Sequence, residues 1–229
     1  MDKEKNLKLE ILNKVKSKFK LQSFQISDLD SFSYPKYIKI LKFNVEQYKV
    51  ENLGNMCILE GKSILGLYFF TVVFTPQGSF DIPFVIIDFI EMRNKLTVFV
   101  EFYNEHIKNK DYIKILDNKL SDKKEKYESI EDYMENPKWY TPLRDKYSPL
   151  KKGSKENKEV LINMVLDYLD EYINFVDSVK KEYSDEKNIE LEKFIDDLIV
   201  KGNPSSKILK KALGEDGYNK FCREIIFKY

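Results

Sequence analysis

The chain has 229 residues, 42% of them apolar and 14% aromatic, enough for one large domain or two very small ones and for a substantial core. Its 39 Lys+Arg and 38 Asp+Glu nearly cancel to a formal net charge of +1, which argues against nucleic acid as a main partner, since such binders carry a stronger basic bias. Two distant cysteines, Cys57 and Cys222, and a single histidine, His106, exclude an ordinary Cys/His zinc site and a protein-held iron–sulfur cluster, while leaving a carboxylate-only metal site open.

The start, Met1-Asp2-Lys3-Glu4-Lys5, is charged and lacks the apolar stretch of a signal peptide, and no apolar run is long enough to span a bilayer. The expectation is a soluble cytoplasmic protein with no membrane partner. Leu7, Ile11, Leu12 and Val15 at helical spacing predict an amphipathic helix over residues 4–19. After Tyr34-Pro35-Lys36 the texture changes to short β-branched and aromatic segments. Strands are predicted at 37–43, 45–51, 55–60, 66–75, 82–90 and 95–103, separated by turn signals such as Gly54-Asn55 and Pro76-Gln77-Gly78. Such short connections favour an antiparallel meander.

Residues 104–136 are charged with sparse apolar positions and read as surface helices and loops, followed by loop signals at Asn136-Pro137 and Ser148-Pro149. Residues 157–183 read as one long helix, with Ser154 as its cap and Leu161, Val165, Tyr168, Leu169, Tyr172, Phe175, Val176 and Val179 on its apolar stripe. Three more helices are predicted: 188–200, one from Ser205 or Ser206 to Gly214, and 215–227 with Tyr218, Phe221, Cys222 and Ile225 inward. Strands followed by helices indicate α/β structure in α+β order, a three-layer α/β/α sandwich with a central antiparallel sheet, in a single domain over 1–229. The unbroken apolar runs 66–74 and 82–90 agree with helices on both faces.

One residue stands out in the sheet. Asp88 interrupts Ile82-Pro83-Phe84-Val85-Ile86-Ile87-Asp88-Phe89-Ile90 and shares a strand face with Phe84, Ile86 and Ile90. A carboxyl there loses hydration, its pKa rises, and it becomes a proton donor near neutrality. The ordinary reading is a carboxylate at a strand end, bonded to a turn amide or reaching water. Glu60 and Glu101 lie on neighbouring predicted strands, and either could face the same pocket. His106 follows strand 95–103 and could serve as an acid or base, although a surface histidine at a helix start is the commoner outcome. The clusters Lys151-Lys152 and Lys123-Lys124-Lys126 read either as solvated loops or as sites for ligand carboxylates or a small acidic protein. No GxGxxG, P-loop, GxSxG or HExxH motif occurs.

Two stretches carry a resemblance. The first is Val72-Val73-Phe74-Thr75-Pro76, then Phe80-Asp81-Ile82-Pro83-Phe84, then Ile87-Asp88-Phe89; the second is Ile208-Leu209-Lys210-Lys211-Ala212-Leu213-Gly214, continuing through Tyr218 to Ile225-Ile226-Phe227. Together with Trp139, Ser148-Pro149-Leu150-Lys151-Lys152 and the long 157–183 helix in the same order, they resemble the ferredoxin-dependent bilin reductases. The resemblance spans residues 66–227 and implies an α/β/α sandwich that binds a linear tetrapyrrole between the sheet and the C-terminal helices. It implies no bound metal or flavin, with reduced ferredoxin or flavodoxin as the external electron donor and side chains as proton donors. Nothing in it requires more than a monomer.

By position, the resemblance makes Asp88 the catalytic aspartate and matches Glu60 to the family's strand glutamate if the following hairpin is two residues shorter. It sets Lys151 or Lys152 where a basic side chain holds a propionate, and Asn203 where many members have an Asp. Counting back from Phe74, Phe70 occupies the position of the family's catalytic histidine, which some active members also lack; Pro204 stands where some use a lysine. The implied activity is reduction of a biliverdin-like bilin by single-electron transfers coupled to protonation from Asp88. The alternative is a bilin- or haem-binding protein that kept the fold and lost the chemistry.

Overall fold

The computed structural model describes residues 3–24, 29–78, 80–179, 188–203 and 205–228; Pro204 and the end of the predicted 157–183 helix lie outside them. Among the described residues eight strands form one sheet: β1 (Leu21–Phe24), β2 (Ser31–Tyr34), β3 (Leu41–Val50), β4 (Gly54–Ser63), β5 (Leu67–Pro76), β6 (Phe84–Met92), β7 (Lys95–Tyr103) and β8 (Leu150–Ser154). The order is β1-β3-β4-β5-β6-β7-β8, with β2 beside β1 on the same edge of β3, and every pair is antiparallel. The meander from β3 to β7 matches the expectation. The segments read as 37–43 and 45–51 are one continuous strand, β3, because Phe43-Asn44-Val45 keeps the in–out alternation without a turn.

Three strands were not legible. β1, β2 and β8 are four or five residues long and polar (Ser-Phe-Ser-Tyr, Leu-Lys-Lys-Gly-Ser), and each forms because a longer strand offers it an open edge. Residues 131–133 in turn cover the outer edge of β8, where Lys152 N donates to Glu131 O at 2.9 Å and Tyr133 N to Leu150 O at 2.8 Å.

Alternation along the strands sorts side chains to the two faces. Ile58 on β4, Phe70, Val72 and Phe74 on β5, Ile87 and Phe89 on β6, and Val98 and Val100 on β7 pack against α1 (Lys3–Lys18), α2 (Lys110–Lys126) and α3 (Lys158–Ser178). Cys57, Leu59, Val73, Phe84 and Tyr103 face the other way, against α4 (Ile189–Val200), α5 (Ser206–Phe221) and a closing π-helical turn, Cys222–Ile226. Both faces are thus dry, as the apolar runs implied. A buried aromatic side chain in either core contributes about 2–3 kcal/mol of transfer free energy.

The predicted helix start at Ser206 holds, whereas the long helix ends at Ser178, before the predicted 183. Ser154 accepts from Glu156 N, and Asn157 accepts from Ser154 N at 3.0 Å, a reciprocal cap leading into α3. The predicted break at Gly214 is a kink within α5, where φ is 75°, a left-handed conformation that glycine adopts without strain. On the sheet, Gly61 lies under the Phe69 ring, and a Cβ there would meet Phe69 Cε1 at 2.0 Å.

Candidate active site

Asp88 lies in the middle of β6, with Phe84, Ile86 and Ile90 on its face, and this face is the one covered by α4 and α5. The entry to β6 is fixed by the Asp81-Ile82-Pro83 turn: Asp81 accepts backbone N–H bonds from Lys108 at 2.7 Å and Asn109 at 2.6 Å. His106 Nε2 bonds to the Ile82 carbonyl at 2.8 Å; a carbonyl can only accept, so this nitrogen carries the hydrogen. His106 is buried, not a surface residue, and burial pushes its pKa below the ordinary value, keeping it neutral. Its backbone carbonyl accepts from Asn188, whose Oδ1 caps α4. The histidine therefore ties the start of β6 to the helix layer above it.

In the antiparallel register Asp88 stands opposite Thr71 on β5 and Phe99 on β7. The Thr71 hydroxyl donates to Asp88 Oδ1. A narrow cleft opens over this pair. Its floor is Leu59, Thr71, Ile86, Asp88, Glu101 and Tyr103, and its roof includes Leu198, Asn203, Leu209 and Phe227. The free volume is about 40 Å³, room for water but not for a large flat ligand. Apolar walls strip water from the Asp88 carboxyl and raise its pKa to about 6, against a smaller lowering by the Thr71 bond.

A second acid shares the floor. Ile86 pairs with Glu101, so Glu101 is the diagonal neighbour of Asp88 on the same face, about 7–8 Å away by sheet geometry. Glu101 is 4% exposed. Its Oε1 is ion-paired to Arg144 Nη2 at 2.5 Å and accepts from Tyr103 Oη at 3.3 Å. Arg144 reaches onward through Nη1 to Glu135 Oε1, also at 2.5 Å. Burial, partly offset by Arg144, raises the Glu101 pKa to about 7. Tyr140, also lining the cleft, is pushed up to about 12 by burial and these carboxylates, so its phenol is un-ionised at neutral pH.

Of the residues named from sequence, the structure brings Asp88, Glu101 and Asn203 together in the cleft. Asn203 shapes the α4–α5 connection, accepting from Ser205 N at 3.0 Å and donating to Tyr218 Oη at 3.1 Å. Glu60 does not share the pocket of Asp88. It lies one residue out of phase on β4, on the α1 face, where Lys8 Nζ holds it at 2.8 Å and Tyr68 Oη donates at 3.3 Å. Phe70 is likewise out of phase: it is buried in the α1–α3 core, and Thr71 is the β5 residue that meets Asp88. Lys151 points to that same far layer and is held by Asp132 at 2.7 Å and Ile130 O at 2.9 Å.

Lys152 is on the Asp88 face but two strands away, beside Thr97, and paired with Glu131 at 2.8 Å. It lines a wider hollow of about 950 Å³ at the β7–β8 edge, with Thr97 and Tyr133. Between hollow and cleft stands Phe99, its ring 5.1 Å from that of Tyr133. The lining of the larger space includes no buried acid, whereas that of the smaller one includes Asp88 and Glu101. Thr71 and Arg144 were missed from sequence. Thr71 was legible from strand register, but Arg144 reaches Glu101 from a loop 43 positions on, and spacing carries no trace of that.

The sequence comparison with known families matches residues 9–228 to the family described as "Ferredoxin-dependent bilin reductase". No curated protein sequence matches the chain. Among solved structures, selenomethionine-labelled phytochromobilin synthase from tomato in complex with biliverdin is similar, with a TM-score of 0.81 and 14% identity, covering 97% of this chain and 82% of that one. That likeness shows the shared fold, and the family match spans nearly all of the chain, including every residue of the cleft. The chain belongs to the ferredoxin-dependent bilin reductases, a family of oxidoreductases.

Proposed function

We propose that this chain reduces a biliverdin-like open tetrapyrrole with electrons taken one at a time from reduced ferredoxin or flavodoxin, and that Asp88 donates a proton to the bound pigment. The observation that carries this reading is the Asp88 carboxyl on the floor of an apolar cleft, with its pKa raised to about 6. Such a group holds its proton for a useful fraction of the time near neutrality and gives it up when a basic pyrrole nitrogen or lactam oxygen arrives. Protonation makes the pigment more positive and easier to reduce, so proton and electron delivery reinforce one another. Adding two electrons and two protons saturates one double bond.

Support for the substrate class comes from the family match and from the biliverdin bound by the tomato relative of the same fold. Asn203 and the aromatic Tyr140 and Phe227 offer a polar contact and flat faces to a conjugated ligand. Lys152, in the neighbouring hollow on the same sheet face, is a basic group for a propionate that displaces Glu131. An anaerobic assay with biliverdin, ferredoxin and a reducing system tests the reading: wild type bleaches and shifts the pigment spectrum, whereas Asp88→Asn binds pigment and turns over at least tenfold more slowly. Equal turnover of the two would refute the role of Asp88.

A pigment-binding protein without turnover is the competing reading. It is favoured by Thr71, which puts a hydroxyl and no titratable group opposite Asp88. It predicts stoichiometric biliverdin or haem binding with a spectrum unchanged by reduced ferredoxin.

A further inference from the structure

The cleft contains more carboxyl groups than its cations can neutralise. Asp88 and Glu101 occupy its floor, and Glu135 lies behind Glu101; against these three stands Arg144, which contacts both glutamates. The other titratable groups around Glu101 are the phenols of Tyr103 and Tyr140 and, across the floor on β4, the Cys57 thiol, all un-ionised at neutral pH. From the roof, Asn203 and Ser205 add polar but uncharged groups. With every carboxyl ionised, the cluster would carry two uncompensated negative charges in an apolar setting. Repulsion at this range raises the affinity of the floor pair for a proton.

The orientation of Glu101 fits a group that can exchange a proton with something in the cleft. Both of its contacts, to Arg144 and to Tyr103, fall on Oε1. Arg144 is itself held by Glu135, which Thr141 Oγ1 also approaches at 3.3 Å, so the guanidinium is fixed from behind. An Arg–Glu pair with a purely structural purpose is stable with both partners ionised; one that shares a floor with a second acid is biased to keep a proton.

We propose that Glu101 is the second proton donor of this site, delivering the proton that Asp88 does not, with Arg144 as the positioning residue that holds it. This deepens the reading given above and rests on it. Each double bond reduced takes two electrons, one from each of two reduced ferredoxins, and two protons, one from Asp88 and one from Glu101. Both ferredoxins leave oxidised, and both carboxylates are re-protonated from water before the next turnover. The C=C π bond breaks and two C–H bonds, or one C–H and one N–H bond after tautomerisation, form.

The test compares Glu101→Gln and Glu101→Asp with wild type and with Asp88→Asn under anaerobic conditions, using biliverdin and reduced ferredoxin. Gln keeps the shape and a carbonyl for Arg144 but carries no exchangeable acid; Asp keeps the acid. The expected result is that Glu101→Gln binds biliverdin within about threefold of wild type and accepts the first electron. It then accumulates a paramagnetic one-electron-reduced pigment seen by electron paramagnetic resonance, with turnover lowered at least tenfold. Glu101→Asp recovers much of that turnover.

Wild-type turnover and pH profile in Glu101→Gln would overturn the proposal. So would loss of pigment binding together with a lowered melting temperature in both variants, which would show a structural role. A wild-type protein that binds biliverdin without reducing it would instead overturn the enzymatic reading itself, and is read before either variant.

Discussion

Thr71 and Asp88 face each other across the β5–β6 ladder, and the Thr71 hydroxyl donates to the carboxyl whose pKa burial has raised to about 6. The bond favours the ionised carboxylate and so works against burial. Thr71→Val removes it at nearly constant volume and leaves burial unopposed, so the Asp88 pKa rises further. The alkaline limb of the rate against pH, measured in single turnover, moves to higher pH, and stability changes by about 1 kcal/mol. An unmoved limb in a folded variant would separate Asp88 from the titration that controls the rate.

Asp88 also lowers the stability of the fold in a defined pH window. Its folded pKa of about 6 lies above the ordinary 3.8. Between these values the folded protein holds a proton that the unfolded chain has released, so folding takes up a proton and stability falls as pH rises. Above pH 6 the full penalty is present, at most about 3 kcal/mol by linkage. Asp88→Asn removes it. Its melting temperature should exceed that of wild type by several degrees at pH 8, with the gap closing below pH 4. Thermal unfolding at several pH values reads both effects; a variant less stable than wild type at pH 8 contradicts this account of the carboxyl.

Glu60 lies on the opposite face and binds Lys8 of α1, which Glu46 also contacts. The pair is partly exposed, so its contribution is at most about 1 kcal/mol. Glu60→Gln should lower the melting temperature by no more than about 3 °C and leave reductase turnover within twofold of wild type. A tenfold loss of turnover with unchanged stability would place Glu60 in the reaction after all.

The difference between Glu60 and Asp88 shows what the sequence could and could not carry. Asp88 was legible because a carboxylate inside seven apolar neighbours is a conflict that a strand resolves only by a special environment. The same conflict stands in Val98-Phe99-Val100-Glu101-Phe102, but Glu101 was named only for its place on a neighbouring strand, without its partner. Faces were harder. Side chains alternate with period two, so an offset of one residue in matching Phe70 or Glu60 to a pattern moves the residue through the sheet. The observed register puts Thr71, not Phe70, beside Asp88 and pairs Glu60 with Phe70 on the far side. The helices with apolar stripes were readable in place, α1 and α4 almost to the residue, but the long helix ends at Ser178, short of the predicted 183, and α2 was read only as surface helices and loops. The short polar strands were not, since what makes them strands is the neighbour they join.

A tetrapyrrole needs several hundred Å³, and the cleft has about 40 Å³, so the proposed binding there requires one wall to move. The floor is the centre of an eight-stranded ladder and is fixed. In the roof, the π-helical turn is held by Gln47 Nε2, which donates to Glu224 O at 3.1 Å and Ile225 O at 3.2 Å, and the α4–α5 connection is held by Trp139 Nε1 donating to Gly202 O at 2.8 Å. Between these anchors lies the first half of α5, carrying Leu209 and ending at the Gly214 kink. This segment is expected to swing. Its amides should exchange hydrogen faster than those of β5–β7 in the free protein, and they should slow when biliverdin saturates the site. Leu209→Ala, which thins the roof, should lower stability by about 2–5 kcal/mol while raising the rate of pigment association. Exchange in residues 206–213 that saturating biliverdin leaves unchanged would mean that another wall opens.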